Sequence, residues 1–191
     1  LMDVSGHGIT SALITMMART VISRRFNDMR ALPLNEVMEG INAVLNREMR
    51  GVYLYLTGIL LRFHESRVEY VNAAHPDLFI IRRNGEIKPV VPEFSPWKGF
   101  FLGIPVADGR HYVHSFDIEP GDMLLVFTDC LIETRTTSGE IFGQEGILDT
   151  LPHCRRDTAD ALLTDLLNGF FAATGTSVLR DDLTVIVLRK L

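Results

Sequence analysis

Three acidic positions stand where apolar runs of this chain end: Asp3 in Asp3-Val4-Ser5-Gly6-His7-Gly8, Asp129 in Thr128-Asp129, and the pair Asp181-Asp182. Carboxylates at strand ends offer hard oxygen donors, which Mg²⁺ and Mn²⁺ prefer over sulfur or nitrogen. Such ions can acidify water and make it a nucleophile toward a phosphate ester. Each position also has a plainer reading. Asp3 could cap the turn into a helix, Asp129 could be a turn residue, and Asp181-Asp182 could be a solvated turn. His7 lies between two glycines that allow a sharp turn; its imidazole could orient water or phosphate, or simply hold the loop. His75, ahead of Pro76, reads as loop packing.

These residues need a scaffold, and the hydrophobic pattern supplies one. Residues 1–4 read as the tail of a buried strand, 5–8 as a tight loop, and Ile9 onward as a helix, so Asp3 sits where a sheet hands over to a helix. The spacing of Leu13, Ile14, Met17, Val21 and Ile22 predicts an amphipathic helix over 9–29. Val37, Met38, Ile41, Val44, Leu45 and Met49 predict another over 34–49, with Pro33 at its first position. Met16, Met17 and Met29 read as core. Both helices are expected on one face of a sheet.

From Leu54 the period shortens to that of strands: 54–63, 67–73, 78–83 and 86–91, an expected antiparallel meander whose last pair turns at Asn84-Gly85. Residues 90–103 read as a loop or flap in which Phe94, Trp97, Phe100 and Phe101 form either a partner-binding patch or local core. Strands over 112–118 and 123–128 follow, joined through Pro120-Gly121-Asp122. Met123-Leu124-Leu125-Val126-Phe127 is a continuous apolar run of the buried-strand kind, with Asp129 just past it. Helices over 143–151 and 158–173 and a strand over 183–188 complete the chain. Strands in a block with helices before and after indicate an α+β layered sandwich.

At 191 residues with 47% hydrophobic and 23% charged side chains, the chain suits one well-packed domain of ordinary globular composition. A net charge of −5 argues against a nucleic-acid surface, and Arg82-Arg83 reads as a solvated face. No apolar stretch approaches the roughly 18 residues that cross a bilayer, and no signal peptide is visible, so a cytoplasmic location without membrane contact is expected. The two cysteines, Cys130 and Cys154, lack zinc or redox spacing and read as unpaired thiols. Leu1, in mid-strand without an initiator Met, reads as a cut end within a longer polypeptide.

Seven motifs stand in one order: Asp3-Val4-Ser5-Gly6-His7-Gly8, Asn72-Ala73-Ala74-His75-Pro76, Phe101-Leu102-Gly103-Ile104, Pro120-Gly121-Asp122, Phe127-Thr128-Asp129, Ile141-Phe142-Gly143 and Asp181-Asp182-Leu183-Thr184. Together they resemble the sporulation-protein-E and RsbU-type branch of the bacterial PPM-type, metal-dependent serine/threonine phosphatases, from Leu1 to Leu191. The resemblance implies a four-layer α/β/β/α sandwich with two central antiparallel sheets, and two divalent cations, Mn²⁺ or Mg²⁺. It implies that Asp3 bridges both ions, that the Val4 carbonyl completes one coordination sphere, and that Asp129 and Asp181 hold the other ion. Gly6, His7 and Asp182 would stand behind these ligands. The implied reaction is one-step hydrolysis of phosphoserine or phosphothreonine without a phosphoenzyme. The implied partners are a phosphorylated anti-sigma-factor antagonist and an N-terminal receiver or sensor domain in the same chain.

Three departures from the pattern stand out. The Gly-Gly-Asp-type strand that supplies a further metal-binding Asp would precede Leu1. Cys130 stands where Gly is common, and a side chain there is expected to crowd an ion beside Asp129. Ala74 replaces the usual Gly before His75. These departures motivate an alternative, a catalytically impaired, pseudophosphatase-like adaptor that binds a sigma-factor regulator or a sigma factor. A helix-mediated dimerisation module gains little support, because neither N-terminal helix sustains heptads.

Overall fold

The computed structural model describes residues 1–91, 98–105 and 110–191. The chain forms two compact units. One comprises Leu1–His75 and Pro92–Asp117, the other Pro76–Val91 and Ile118–Leu191. Helices and two sheets make an α+β architecture. No helix among the described residues is long and apolar enough to cross a membrane.

In the first unit, β1 (Met2–Val4), β2 (Leu56–Phe63), β3 (Arg67–Ala73) and β6 (Lys98–Gly99) are hydrogen-bonded in that order, and β7 (His114–Asp117) also pairs with β3. All pairs are antiparallel except β3–β6. Helix α2 (Leu34–Glu48) buries Leu34, Val37, Met38, Ile41 and Leu45 completely, against Leu56, Leu60, Val71 and Ala73 of the sheet. Its apolar residues recur every three to four positions, so one face is continuous, and each fully buried Leu or Ile contributes about 2 kcal/mol. Pro33 is the cap, one place before the first helical residue; its ψ of 143° is extended.

Helix α1 (Ile9–Asp28) departs from the expected face. Ile14, Met17, Ala18, Val21, Ile22 and Phe26 pack on the α2 core, while Leu13 is 61% exposed, Met16 69% and Ile9 82%. Ile9, Leu13 and Met16 recur at i, i+4 and i+7, which makes a second apolar stripe. A helix apolar on two faces gives periodicity no means of choosing the buried one. Met16 is therefore not core, whereas Met17 and Met29 pack against it.

The second unit contains a sheet in the order β5 (Ile87–Pro89), β4 (Phe79–Ile81), β8 (Met123–Phe127) and β9 (Val185–Arg189), antiparallel throughout. Helices α3 (Cys130–Glu133), α4 (Gly143–Thr150) and α5 (Ala159–Thr174), with a 3-10 turn at Leu151–His153, accompany it. Its core joins Phe79, Leu125 and Phe127 of the sheet to Ile147, Leu162, Leu166 and Phe170 of the helices. Thr158 caps α5 by accepting a bond from the Ala161 amide at 3.0 Å, and Gly175, at φ 63°, ends it in the left-handed conformation.

The expected meander is corrected by this topology. The pair β2–β3 and the hairpin β4–β5 lie in different sheets, and β7 and β8, though consecutive, pair with different strands. Each hairpin is encoded locally, but the sheet it joins is a long-range choice. The expected flap contains β6. A Cβ on Gly99 would lie 2.3 Å from the His111 ring, so the contact requires glycine there. Of the aromatic patch, Phe101 packs against Tyr55 with ring centres 4.5 Å apart and planes tilted by 52°, and Phe100 is half-exposed; Phe94 and Trp97 lie outside the described residues.

Candidate functional site

Asp3 occupies the middle of β1, directly opposite Thr57 of β2. The loop behind it is pinned to the Tyr55 backbone. Ser5 N donates to the Tyr55 carbonyl at 2.8 Å, and Tyr55 N donates to Ser5 Oγ at 2.9 Å. Gly6 and Gly8 have φ of 79° and 90°, and Gly8, with ψ −164°, occupies a region open in practice to glycine alone. That residue is the N-cap of α1 and, lacking a side chain, makes no side-chain cap bond. Gly6 and His7 are exposed.

Sequence reasoning left His75 and Thr57 out of the site. His75 is fully buried and its Nδ1 lies 2.7 Å from Thr57 Oγ1, on the residue paired with Asp3. Asn72 fixes it twice, accepting from His75 N at 2.7 Å and donating to His75 O at 3.0 Å. Between them Ala74 takes a φ of 54°, a left-handed conformation that explains the family's glycine. The signal was present in Asn72-Ala73-Ala74-His75; the link to Asp3 requires strand register.

In the second unit Asp129 and Asp181 line one cavity of about 590 Å³, together with Cys130, Thr134, Arg135 and Arg180. Asp129 opens α3 without capping it, and its Oδ1 is buried without a hydrogen-bond partner. Burial pushes its carboxyl above the usual carboxylate range, and the charge of Asp181 pushes it further. The Cys130 amide opposes this only in part. A desolvated carboxylate facing a second one is costly unless a cation joins them.

Backbone ties hold the two acidic turns together. Thr128 N donates to Thr184 O at 3.0 Å, and Thr128 Oγ1 donates to Asp182 O at 3.0 Å while accepting from Thr184 N at 3.0 Å. The Cys130 thiol donates to Asp181 O at 3.3 Å. Asp181 Oδ1 accepts from the Asp182 amide at 2.8 Å. Asp182 is exposed. Burial pushes the Cys130 thiol up, so it remains a neutral donor. Both cysteines are buried and unpaired.

The Cys130 sulfur is engaged with the Asp181 backbone and lies 3.7 Å from Thr134 Oγ1. The candidate ligands are distributed over the two units, Asp3 and Val4 in the first and Asp129 and Asp181 in the second. Among the described residues no three Asp, Glu, His or Cys side chains gather into a ready-made metal cage. The donor set nevertheless suits a hard cation: it consists of oxygens, one of them buried and unpartnered.

Comparison with known proteins extends this picture. Residues 1–191 match the family described as stage II sporulation protein E (SpoIIE). Among curated proteins, the protein IcfG of Synechocystis is 26% identical over 126 residues, which is 64% of this chain and only 18% of IcfG. Among solved structures, the SiaA-PP2C domain of Pseudomonas aeruginosa superposes with a TM-score of 0.83 at 18% identity, covering 98% of this chain and 73% of that one. The RsbU and RsbW domains of Rv1364c from Mycobacterium tuberculosis give 0.72 at 22% identity, covering 99% and 50%. The catalytic domain of the serine/threonine protein phosphatase PstP, solved with two manganese ions, gives 0.65 at 14% identity, covering 97% and 84%. These likenesses show the fold of PP2C phosphatase domains.

Proposed function

This chain belongs to the SpoIIE family, and on that premise we propose that it is a divalent-cation-dependent protein serine/threonine phosphatase that hydrolyses its substrate in one step. The observation that carries the reading is the buried, unpartnered Oδ1 of Asp129 facing the charge of Asp181. Two ions, Mn²⁺ or Mg²⁺, would be held by Asp3, the Val4 carbonyl, Asp129 and Asp181. When bound they supply the positive charge that makes water nucleophilic and offsets charge developing on the phosphoryl oxygens. The PstP structure with two manganese ions supports this cofactor choice.

The chain's own residues position and select. Thr128 and Cys130 fix the spacing of the two acidic turns through the 181–184 backbone. Thr57 and His75 brace the strand opposite Asp3. Arg135 and Arg180, on the rim of the same cavity, place positive charge where a phosphoryl group would approach. Gly6 and Gly8 let the backbone turn tightly beneath His7.

The substrate we propose is an anti-sigma-factor antagonist phosphorylated on Ser or Thr, in the bacterial cytoplasm. The likeness to the RsbU and RsbW domains supports that choice. The continuous family match through both units supports reading residues 1–191 as one phosphatase domain, controlled by a receiver or sensor domain elsewhere in its parent protein. The adaptor alternative, motivated by the departures from the family pattern, is the weaker reading, because a pure binding module has no need of the carboxylates Asp3, Asp129 and Asp181.

Acid-quenching the reaction with a substrate labelled on its phosphoryl group tests the one-step route. No label on the enzyme is expected at any time; label that appears on the protein and then decays would contradict it.

A further inference from the structure

At the opposite end of the second sheet from Asp129, a cavity of about 610 Å³ opens over the row in which Ile81, Met123 and Arg189 stand side by side on β4, β8 and β9. Met123 begins β8 and Asp129 follows its end, so about 13 Å of strand separates this cavity from the acidic turns. Five cations line it: Arg82, Arg83, Arg156, Arg189 and Lys190. A chain of net charge −5 has gathered a quarter of its 19 basic residues here.

Arg82 is committed to the buried Asp122 at 2.8 Å. The others are not neutralised: among the described residues no carboxylate pairs with Arg83, Arg156, Arg189 or Lys190. Arg156 donates to the Leu151 carbonyl at 3.3 Å, and Arg189 donates to the Asp157 carbonyl. Neutral carbonyls orient a guanidinium without cancelling its charge. The stem of Arg83 packs over Gly121, where a Cβ would lie 3.1 Å from its Cδ. The open apolar part of the lining is Pro120, while Ile81 and Met123 are 1% and 2% exposed and lie in the core beneath.

Several cations lining one cavity give it a positive field, which attracts an anion able to accept from more than one of them. Guanidinium groups match phosphate oxygens in fork geometry, and a volume of this size accommodates an organic body beside the phosphate. We propose that this cavity is a binding site for a small organic phosphate, with the phosphate groups on Arg83, Arg156, Arg189 and Lys190 and the organic body against Pro120. The site is independent of the acidic turns and needs no divalent cation.

Calorimetric titration in EDTA with adenosine diphosphate, pyrophosphate and adenosine as probes tests it, on the wild type and on Arg83→Ala/Lys190→Ala. Saturable binding of the diphosphate is expected, tighter than of pyrophosphate or adenosine, and weakened at least about tenfold in the double variant. An unchanged urea midpoint would show that the variant is folded. No saturable binding, or binding that the double variant leaves intact, would overturn the proposal, and pyrophosphate binding as tightly as the nucleotide would overturn the role of Pro120.

Discussion

The Cys130 thiol donates to the Asp181 carbonyl at 3.3 Å, so the residue after one acidic turn anchors the other across 51 positions of sequence. This relationship gives the cysteine a positive role where the family pattern favours glycine. Cys130→Gly removes that tie and a side chain that is only 4% exposed, and it places glycine in a helix. It should cost about 1–2 kcal/mol in urea denaturation and lower Mn²⁺ affinity. A variant that is equally stable and more active would mean that the cysteine crowds the site.

Ala74 carries a left-handed φ of 54°. An L-residue with a Cβ pays about 1 kcal/mol there, partly balanced by the greater freedom of glycine in the unfolded chain. Ala74→Gly should therefore stabilise the protein by about 0.5 kcal/mol in urea denaturation. Destabilisation would show that the Asn72–His75 corner imposes no strain.

Asp129 has its carboxyl raised by burial and by Asp181. An acid whose folded pKa exceeds its unfolded value favours the fold while protonated; that contribution is complete below about 4 and lost as pH rises through the raised value. In EDTA at neutral pH, Asp129→Asn should thus raise the melting temperature, and the difference from wild type should shrink on acidification. Added Mn²⁺ should stabilise the wild type far more than the variant. Equal melting temperatures in EDTA across this pH range would remove the electrostatic argument for a cation.

Asp122 behaves in the opposite sense. Burial pushes its carboxyl up, but bonds from Glu119 N at 3.0 Å, Arg82 at 2.8 Å and Arg83 N at 2.9 Å outweigh that and hold it below the usual range. Its stabilisation is present above about 4 and is lost as pH falls through the lower folded value. Asp122→Asn should cost about 3 kcal/mol at neutral pH and flatten the acid limb of the stability curve. An unaltered acid limb would contradict this assignment.

How much of this was legible in the sequence depended on range. Helix α2, the buried run of β8 and the Asn84-Gly85 hairpin are set by neighbours within a few residues, and periodicity found them. Glu86 N donating to Asn84 Oδ1 at 3.0 Å shows the turn closing on itself. The face of α1 was ambiguous because two apolar stripes share one helix. The exchange of sheets after Ala73, the two-residue β6 and the four-residue α3 are decided by pairing or are too short to repeat a period. The acidic residues were visible as types at strand ends. Their supports, Thr128 against 182–184 and Thr57 against His75, are bonds between segments 18 to 56 residues apart, which no local pattern encodes.

The central claim is that Asp129 serves a cation-dependent phosphatase, and it is tested most directly by phosphate release from a phosphorylated anti-sigma-factor antagonist with and without Mn²⁺, wild type beside Asp129→Asn. Turnover that requires Mn²⁺ and falls by at least about a hundredfold in the variant is expected, since the charge that steadies the reacting phosphoryl group would be lost. Turnover that persists in EDTA, or that Asp129→Asn leaves unchanged, would contradict it.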